Sequence, residues 1–180
     1  METNKSNIRE AISLLRNEQI NTDSGMSQDL FLLISGLIPI PNVDLLIVNE
    51  KNQILLSWRE DRFFESSWHI PGGCMHYGES FEACLKTTAK RELGVDIRWD
   101  EDPIAVRNVI RGINEQQLFP RERGHNVAIL FRCFLCQPLD GSLLADVSGL
   151  QNGKLKWFDK LPQNFMTIQH VYDEILTQWI

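Results

Sequence analysis

The chain has no apolar run long enough to cross a membrane. A spanning helix needs about 18–20 apolar residues in a row. The longest such run, Leu30–Ile40, is interrupted by Ser35, Gly36 and Pro39. The opening METNKSNIREAISLL lacks the basic start and long apolar stretch of a secretory signal, so a cytoplasmic location is expected. Basic residues are in deficit. The 18 Lys and Arg against 24 Asp and Glu give a net charge of −6 and a pI near 5.2. That balance excludes a general nucleic-acid-binding surface but permits a local basic pocket. Cysteine is sparse: Cys74, Cys84, Cys133 and Cys136. Cys133 and Cys136 form a C-x-x-C with no second pair and no paired histidines. They fall in a strand-like run, where residues three apart face opposite ways, which makes a poor zinc pair. Reduced, buried thiols are the expectation. Internal repeats and low-complexity segments are also missing.

What is present suits one folded domain. The 180 residues are 43% hydrophobic and 23% charged, ordinary proportions for a globular chain with a real core. Residues 1–26 read as an N-terminal helical extension, with Ile8, Ile12, Leu14 and Leu15 at roughly helical spacing. Residues 27–180 read as the main domain. Ser27–Leu37 predicts a helix stopped by Pro39 and Pro41. Val43–Val48 and Gln53–Trp58 flank Asn49-Glu50-Lys51-Asn52 and predict a hairpin. Arg59–Ser67 reads as a polar loop. Glu79–Leu93 predicts a helix with a stripe of Phe81, Cys84, Leu85, Ala89 and Leu93, ended by Gly94. Strands are expected over Val95–Arg98, Ile104–Ile110, His125–Gln137 and Leu155–Phe158, with a closing helix over Ile168–Trp179. Asn114–Gly124 is a long polar loop of the kind that often carries function. The pattern predicts a layered α/β (α+β) fold.

The most informative stretch is Pro71-Gly72-Gly73 running through Glu79 to Arg91-Glu92-Leu93-Gly94-Val95. It resembles the Nudix box, G-x5-E-x7-R-E-u-x-E-E-x-G-u, where u is aliphatic. Gly73, Glu79, Glu92, Gly94 and Val95 fall in place. Thr87-Thr88 replaces the central Arg-Glu pair, and Arg91 replaces the first of the two late glutamates. The resemblance implies a mixed β-sheet sandwiched between helices. It also implies a divalent metal, Mg2+ or Mn2+, that neutralises a diphosphate. In the full box three glutamates share one helix face; here those positions are Thr88, Arg91 and Glu92. One carboxylate favours at most one tightly held metal. The resemblance makes Glu92, the Gly72 carbonyl and Gln151 the metal ligands.

A box depleted in this way is similar to that of the GDP-mannose mannosyl hydrolase branch of the Nudix family, over roughly Ser27 to Phe158. The match includes Asp44 in NVDLLIVNE, Arg59 after ILLSW, and His125-Asn-Val-Ala-Ile-Leu-Phe131-Arg132. In that branch water attacks the anomeric carbon and intact nucleoside diphosphate leaves. The resemblance makes Asp44 and Arg59 substrate contacts, with Asp44 also readable as a backbone cap after Pro41. The branch's arginine after the glycine pair is Cys74 here, and Arg121 and Arg123 could replace it. The branch's histidine base falls at Asn152, and an amide accepts no proton at neutral pH. Three readings of this departure stay open: another group such as His125 serves as base, beside Glu92 as the other catalytic candidate; the loop aligns a few residues away; or turnover is slow or absent. Three activities follow as expectations: glycosyl hydrolysis of a nucleoside-diphosphate sugar, conventional pyrophosphohydrolysis, or nucleotide-sugar binding with weak catalysis. A homodimer is a family-level expectation.

Overall fold

The computed structural model describes residues 2–17, 26–61, 63–111, 123–145 and 150–179. The centre of the fold is strand β1, Ile40–Ile47. Val43 to Ile47 are all buried, so this strand reads as an almost continuous apolar run, as a strand covered on both faces should. It pairs in parallel with the long strand β7, His125–Leu135, from Ile40 opposite Asn126 to Ile47 opposite Cys133. On its other edge runs β4, Gly72–Cys74, antiparallel, with Asp44 opposite Gly72. The far edge of β7 carries two short strands end to end: β5, Ile97–Trp99, and β6, Ala105–Ile110. A second, three-stranded sheet has the order β3-β2-β8, with β2 at Ile54–Asp61, β3 at Phe64–His69 and β8 at Leu155–Phe158.

Helix α1 spans Glu2–Asn17 and α2 spans Gln28–Ser35. The Ser27 hydroxyl accepts the Leu30 N–H at 3.4 Å and caps α2. The apolar residues of α1, Ile8, Ile12, Leu14 and Leu15, remain exposed. Helix α3, Phe81–Leu93, starts at Ser80, whose hydroxyl accepts the Ala83 N–H at 3.1 Å. It ends at Gly94, which takes the left-handed conformation (φ 71°) that glycine adopts at least cost. Its stripe of Cys84, Leu85, Ala89 and Leu93 packs on Val43, Leu45 and Ile47 of β1 and on Ile129, Phe131 and Cys133 of β7. Phe81, the first residue of the expected stripe, stays exposed, with its ring 5.6 Å from that of Phe131. The opposite face of the large sheet packs on the small sheet and on the C-terminal segment through Leu46, Leu130, Trp68, Phe165, Tyr172 and Leu176. The large mixed sheet is thus sandwiched between α3 and the small sheet with the C-terminal segment, an α+β fold.

Four expectations are corrected. The hairpin turn forms, with Asn49 and Gln53 bonded across it and one bridge from Val48 to Ile54. Its two strands then diverge into different sheets, because β1 pairs with β7 and β2 with β8. Arg59–Ser67 is not an open loop: β2 runs on to Asp61, and a tight turn returns as β3, pairing Arg59 with Ser67. The closing helix is mostly a 3-10 segment, Thr167–Tyr172, followed by a single α turn, α4, Asp173–Leu176. Not all thiols are buried: Cys84 and Cys133 are, Cys74 is half-buried, and Cys136, one residue past the end of β7, is exposed. Among the described residues no helix is long and apolar enough to cross a membrane.

Candidate active site

A cleft of about 790 Å3 opens where the end of α3, the β4 turn, the small sheet and α2 meet. Its lining includes Arg59, Gly72, Arg91, Glu92, Arg123 and Asn152. The β4 turn reaches the cleft because two glycines let it lie close to its neighbours. A Cβ on Gly72 would stand 2.3 Å from Asp44 Oδ1 and 2.8 Å from the Val43 carbonyl. A Cβ on Gly73 would stand 2.6 Å from both Arg91 Nη2 and Thr88 Oγ1. The two positions are therefore restricted to glycine by close approach rather than by backbone dihedrals.

Glu92 and Arg91 sit side by side in the last turn of α3. The Arg91 Nε–H donates to Glu92 Oε1 at 3.0 Å, and its Nη2–H donates to the Gly72 carbonyl at 3.0 Å. Glu92 Oε2 has no partner among the described residues. Thr88, at the remaining box position, is buried beneath them with its hydroxyl 4.0 Å from Cys84 Sγ. Glu79 lies at the mouth of the turn. It accepts the His76 backbone N–H at 2.9 Å and lies 3.6 Å from the His76 ring.

The divalent metal implied by the resemblance does not fit these donors. Among the described residues no three His, Cys, Asp or Glu side chains gather as a metal cluster. The two oxygens expected to share the ion, from Gly72 and Glu92, already accept from one guanidinium. A hard dication prefers about six oxygen ligands. The Arg91 guanidinium beside Glu92 offsets the attraction that this single carboxylate offers a dication. Gln151 is exposed and does not line the cleft.

The other wall is cationic. Arg59 pairs with Asp61 at 2.5 Å and lies over the Phe64 ring at 4.3 Å. Phe63 and Phe64 backbone N–H groups also donate to Asp61, and together with Arg59 they hold its carboxyl below the usual range against the opposing effect of burial. Arg123 packs over Phe31, Phe63 and Phe64 at 5.2–5.4 Å. Its backbone N–H donates to Ser35 Oγ at 2.8 Å. Burial lowers its pKa, yet a guanidinium stays protonated in proteins. Arg123 makes no ion pair among the described residues. Arg121 lies outside the described residues.

The remaining expected residues separate. Asn152 lines the cleft, but its amide is fixed on the β2 edge: Oδ1 accepts the Glu60 N–H at 2.6 Å and Nδ2 donates to the Glu60 carbonyl at 2.8 Å. His125, at the start of β7, holds Asn108 Oδ1 at 2.5 Å and lines neither the cleft nor the cavity behind it. Asp44 sits in that smaller cavity of about 60 Å3, which shares Asn42, Arg59, His69, Gly72 and Arg123 with the cleft. It lies within β1 rather than at a turn. Its carboxyl accepts from Asn42 at 2.9 Å, Tyr172 at 2.8 Å and Gln169 at 3.5 Å. Burial pushes its pKa up to about 7, with these three donors working the other way.

Among the histidines with no role in the sequence analysis, one is built into the site. His69, the last residue of β3, lines both cavities and is buried. Its Nδ1 bonds the Ile70 carbonyl at 2.8 Å, which fixes the proton on Nδ1 and leaves Nε2 as acceptor. Burial, helped by the nearby Arg59 charge, lowers its pKa to about 4, so the ring is neutral at pH 7. Two further polar atoms at the cleft wall, Ser57 Oγ and Trp58 Nε1, are buried without a hydrogen-bond partner. Single residues of this kind, in alternating strands, give no motif; cross-strand pairing of Ser57 with His69 is what brings them together.

A sequence model of the NUDIX domain matches residues 39–161. The low-salt glycan biosynthesis protein Agl8 of Haloferax volcanii is 32% identical over 82 residues, covering 46% of this chain and 52% of Agl8. The chain therefore spans about half the length of that curated relative. A MutT NUDIX hydrolase from Burkholderia pseudomallei superposes with a TM-score of 0.56 at 21% identity, covering 79% of this chain and 98% of that one. A MutT protein from Methanosarcina mazei gives 0.55 at 19% identity, covering 78% and 94%. With the box turn, its helix and the sandwiched mixed sheet in place, the chain belongs to the Nudix hydrolase family.

Proposed function

We propose that the cleft binds a nucleoside-diphosphate sugar and hydrolyses its glycosyl bond, releasing free sugar and intact nucleoside diphosphate. The observation that carries this reading is Arg123, a partly buried cation with no ion pair among the described residues, set with Arg59 and Arg91 around the same cleft. Burying a charge is costly unless an opposite charge joins it. A diphosphate supplies that charge, and guanidinium forks match phosphate oxygens. A volume of about 790 Å3 lies within the range of about 300–1,000 Å3 usual for small-molecule sites. The relation to a glycan biosynthesis protein is consistent with an activated sugar as ligand.

The depleted box favours carbon over phosphorus as the point of attack. Glu92 is the one carboxylate left of the three box positions. Metal-activated attack on phosphorus requires more. At the anomeric carbon, water forms the new C–O bond while the bond to the diphosphate oxygen breaks. The arginines carry the charge of the departing diphosphate. The water's proton goes to a side chain at the cleft wall, and Glu92 through Oε2 is our first choice, with neutral His69 as the second acceptor.

Product identification tests this. The protein is incubated with GDP-mannose and a panel of other nucleotide sugars, and the products are separated by chromatography. Free sugar and nucleoside diphosphate are expected. Sugar phosphate with nucleoside monophosphate overturns the reading. Glu92→Gln is expected to lower kcat by roughly 100-fold or more, whereas an unchanged kcat removes Glu92 from the chemistry.

A further inference from the structure

Arg91 occupies the place between two oxygens, Gly72 O and Glu92 Oε1, at 3.0 Å from each. Its side chain is half exposed and lines the cleft, so the guanidinium keeps N–H groups for a ligand. The backbone below makes room for it: Gly73 leaves open the space that a Cβ would take from Nη2. Thr88 beneath is buried and carries no charge.

We propose that Arg91 is a built-in cation that stands where a bound dication would bridge the β4 turn and α3, so that this cleft takes a nucleoside diphosphate without a divalent metal. The inference rests on the proposed ligand. A guanidinium is permanently charged and presents five N–H donors in a rigid fork. Two of these hold the protein oxygens, and the remainder are available to diphosphate oxygens in a bidentate arrangement. Arg59 and Arg123 on the facing wall add the charge that a metal would otherwise supply. A dication held by the same two oxygens must accept as its neighbour a guanidinium that is 3.0 Å from each of them.

Two measurements on the full chain decide it. Manganese titration of the free protein, followed by electron paramagnetic resonance, reads the cation directly. Arg91→Glu places a second carboxylate beside Glu92 and is expected to bind Mn2+ at least tenfold more tightly than the wild type. Wild-type binding as tight as that of the variant overturns the proposal. Calorimetric binding of GDP and UDP is then compared in EDTA and in magnesium. Wild-type Kd values within threefold of each other support the proposal, and binding that needs magnesium overturns it. Arg91→Gln is expected to weaken binding in EDTA at least tenfold, with Arg91→Lys in between because it keeps the charge and loses the fork. If Arg91→Glu fails a circular-dichroism check of folding, Arg91→Gln takes its place in the manganese titration. Absence of GDP and UDP binding in both buffers overturns the diphosphate ligand itself, and the manganese titration still decides what Arg91 replaces.

Discussion

Arg123 touches three aromatic rings and no carboxylate among the described residues. A cation held this way is favourable for a ligand and unfavourable for the empty protein. Arg123→Gln should therefore raise the KM or Kd for the nucleotide at least tenfold while leaving the urea midpoint unchanged or higher. A variant that loses stability and keeps its affinity would make Arg123 a packing residue instead. At this scale the sequence was legible where a motif fixed the spacing, as for Glu92 and Gly72, and opaque where tertiary contacts decided. His69 sits between Trp68 and Ile70 with no signal of its own; strand pairing with Ser57 and the Ile70 carbonyl give it a buried, neutral ring at the cleft. His125 looked better in the sequence, next to Arg121 and Arg123, yet β7 begins there and pairs it with β6, so its ring meets Asn108.

Among the elements, the α3 helix and its glycine end were readable because period, cap and breaker all agree. The Asn49–Asn52 turn was readable for the same local reason: Asn49 Oδ1 accepts from the Lys51 and Gln53 N–H groups. What the turn residues could not encode is the sheet each flanking strand joins, because that depends on β7 and β8, distant in sequence. The β4 turn gives the element-scale prediction. Gly72→Ala would drive a methyl group into Asp44 Oδ1 and the Val43 carbonyl. The carbonyl is backbone and cannot swing aside, so β4 must shift from β1. A loss of roughly 1–3 kcal/mol is expected, with reduced turnover because Gly72 and Arg91 move together. Urea unfolding checks it, and an unchanged midpoint would mean that β4 moves freely.

For the whole molecule, two buried groups pull the pH dependence in opposite directions. His69 has its pKa lowered to about 4, so between that value and 6.5 the unfolded chain binds the extra proton and stability rises with pH. Asp44 has its pKa raised to about 7, so from 3.8 to 7 the folded chain holds the extra proton and stability falls as pH rises. Between pH 4.5 and 6.5 the two slopes nearly cancel. Asp61 and Glu65, whose pKa values are lowered, act below this window. Asp44→Asn should uncover the histidine, with stability rising by about 2–3 kcal/mol from pH 4.5 to 6.5. His69→Gln should uncover the aspartate, with a fall of similar size. Urea midpoints at the two pH values measure both, and variants with the flat wild-type profile would contradict the buried assignments. The divergence of β1 and β2 has a consequence of another kind. The cleft is a seam between two sheets, with the box turn and α3 on one bank and β2 with β3 on the other. The chain joins the banks at the Asn49–Asn52 turn and again at Ile70-Pro71, between β3 and β4, and behind the cleft they share the buried core of Leu46, Leu130, Ile54, Leu56 and Trp68. Change in that shared core disturbs both banks, whereas change confined to cleft-facing side chains of β2 and β3 reshapes one wall of the cleft and leaves the box turn where it is, so new ligands are reached through the wall and not through the core.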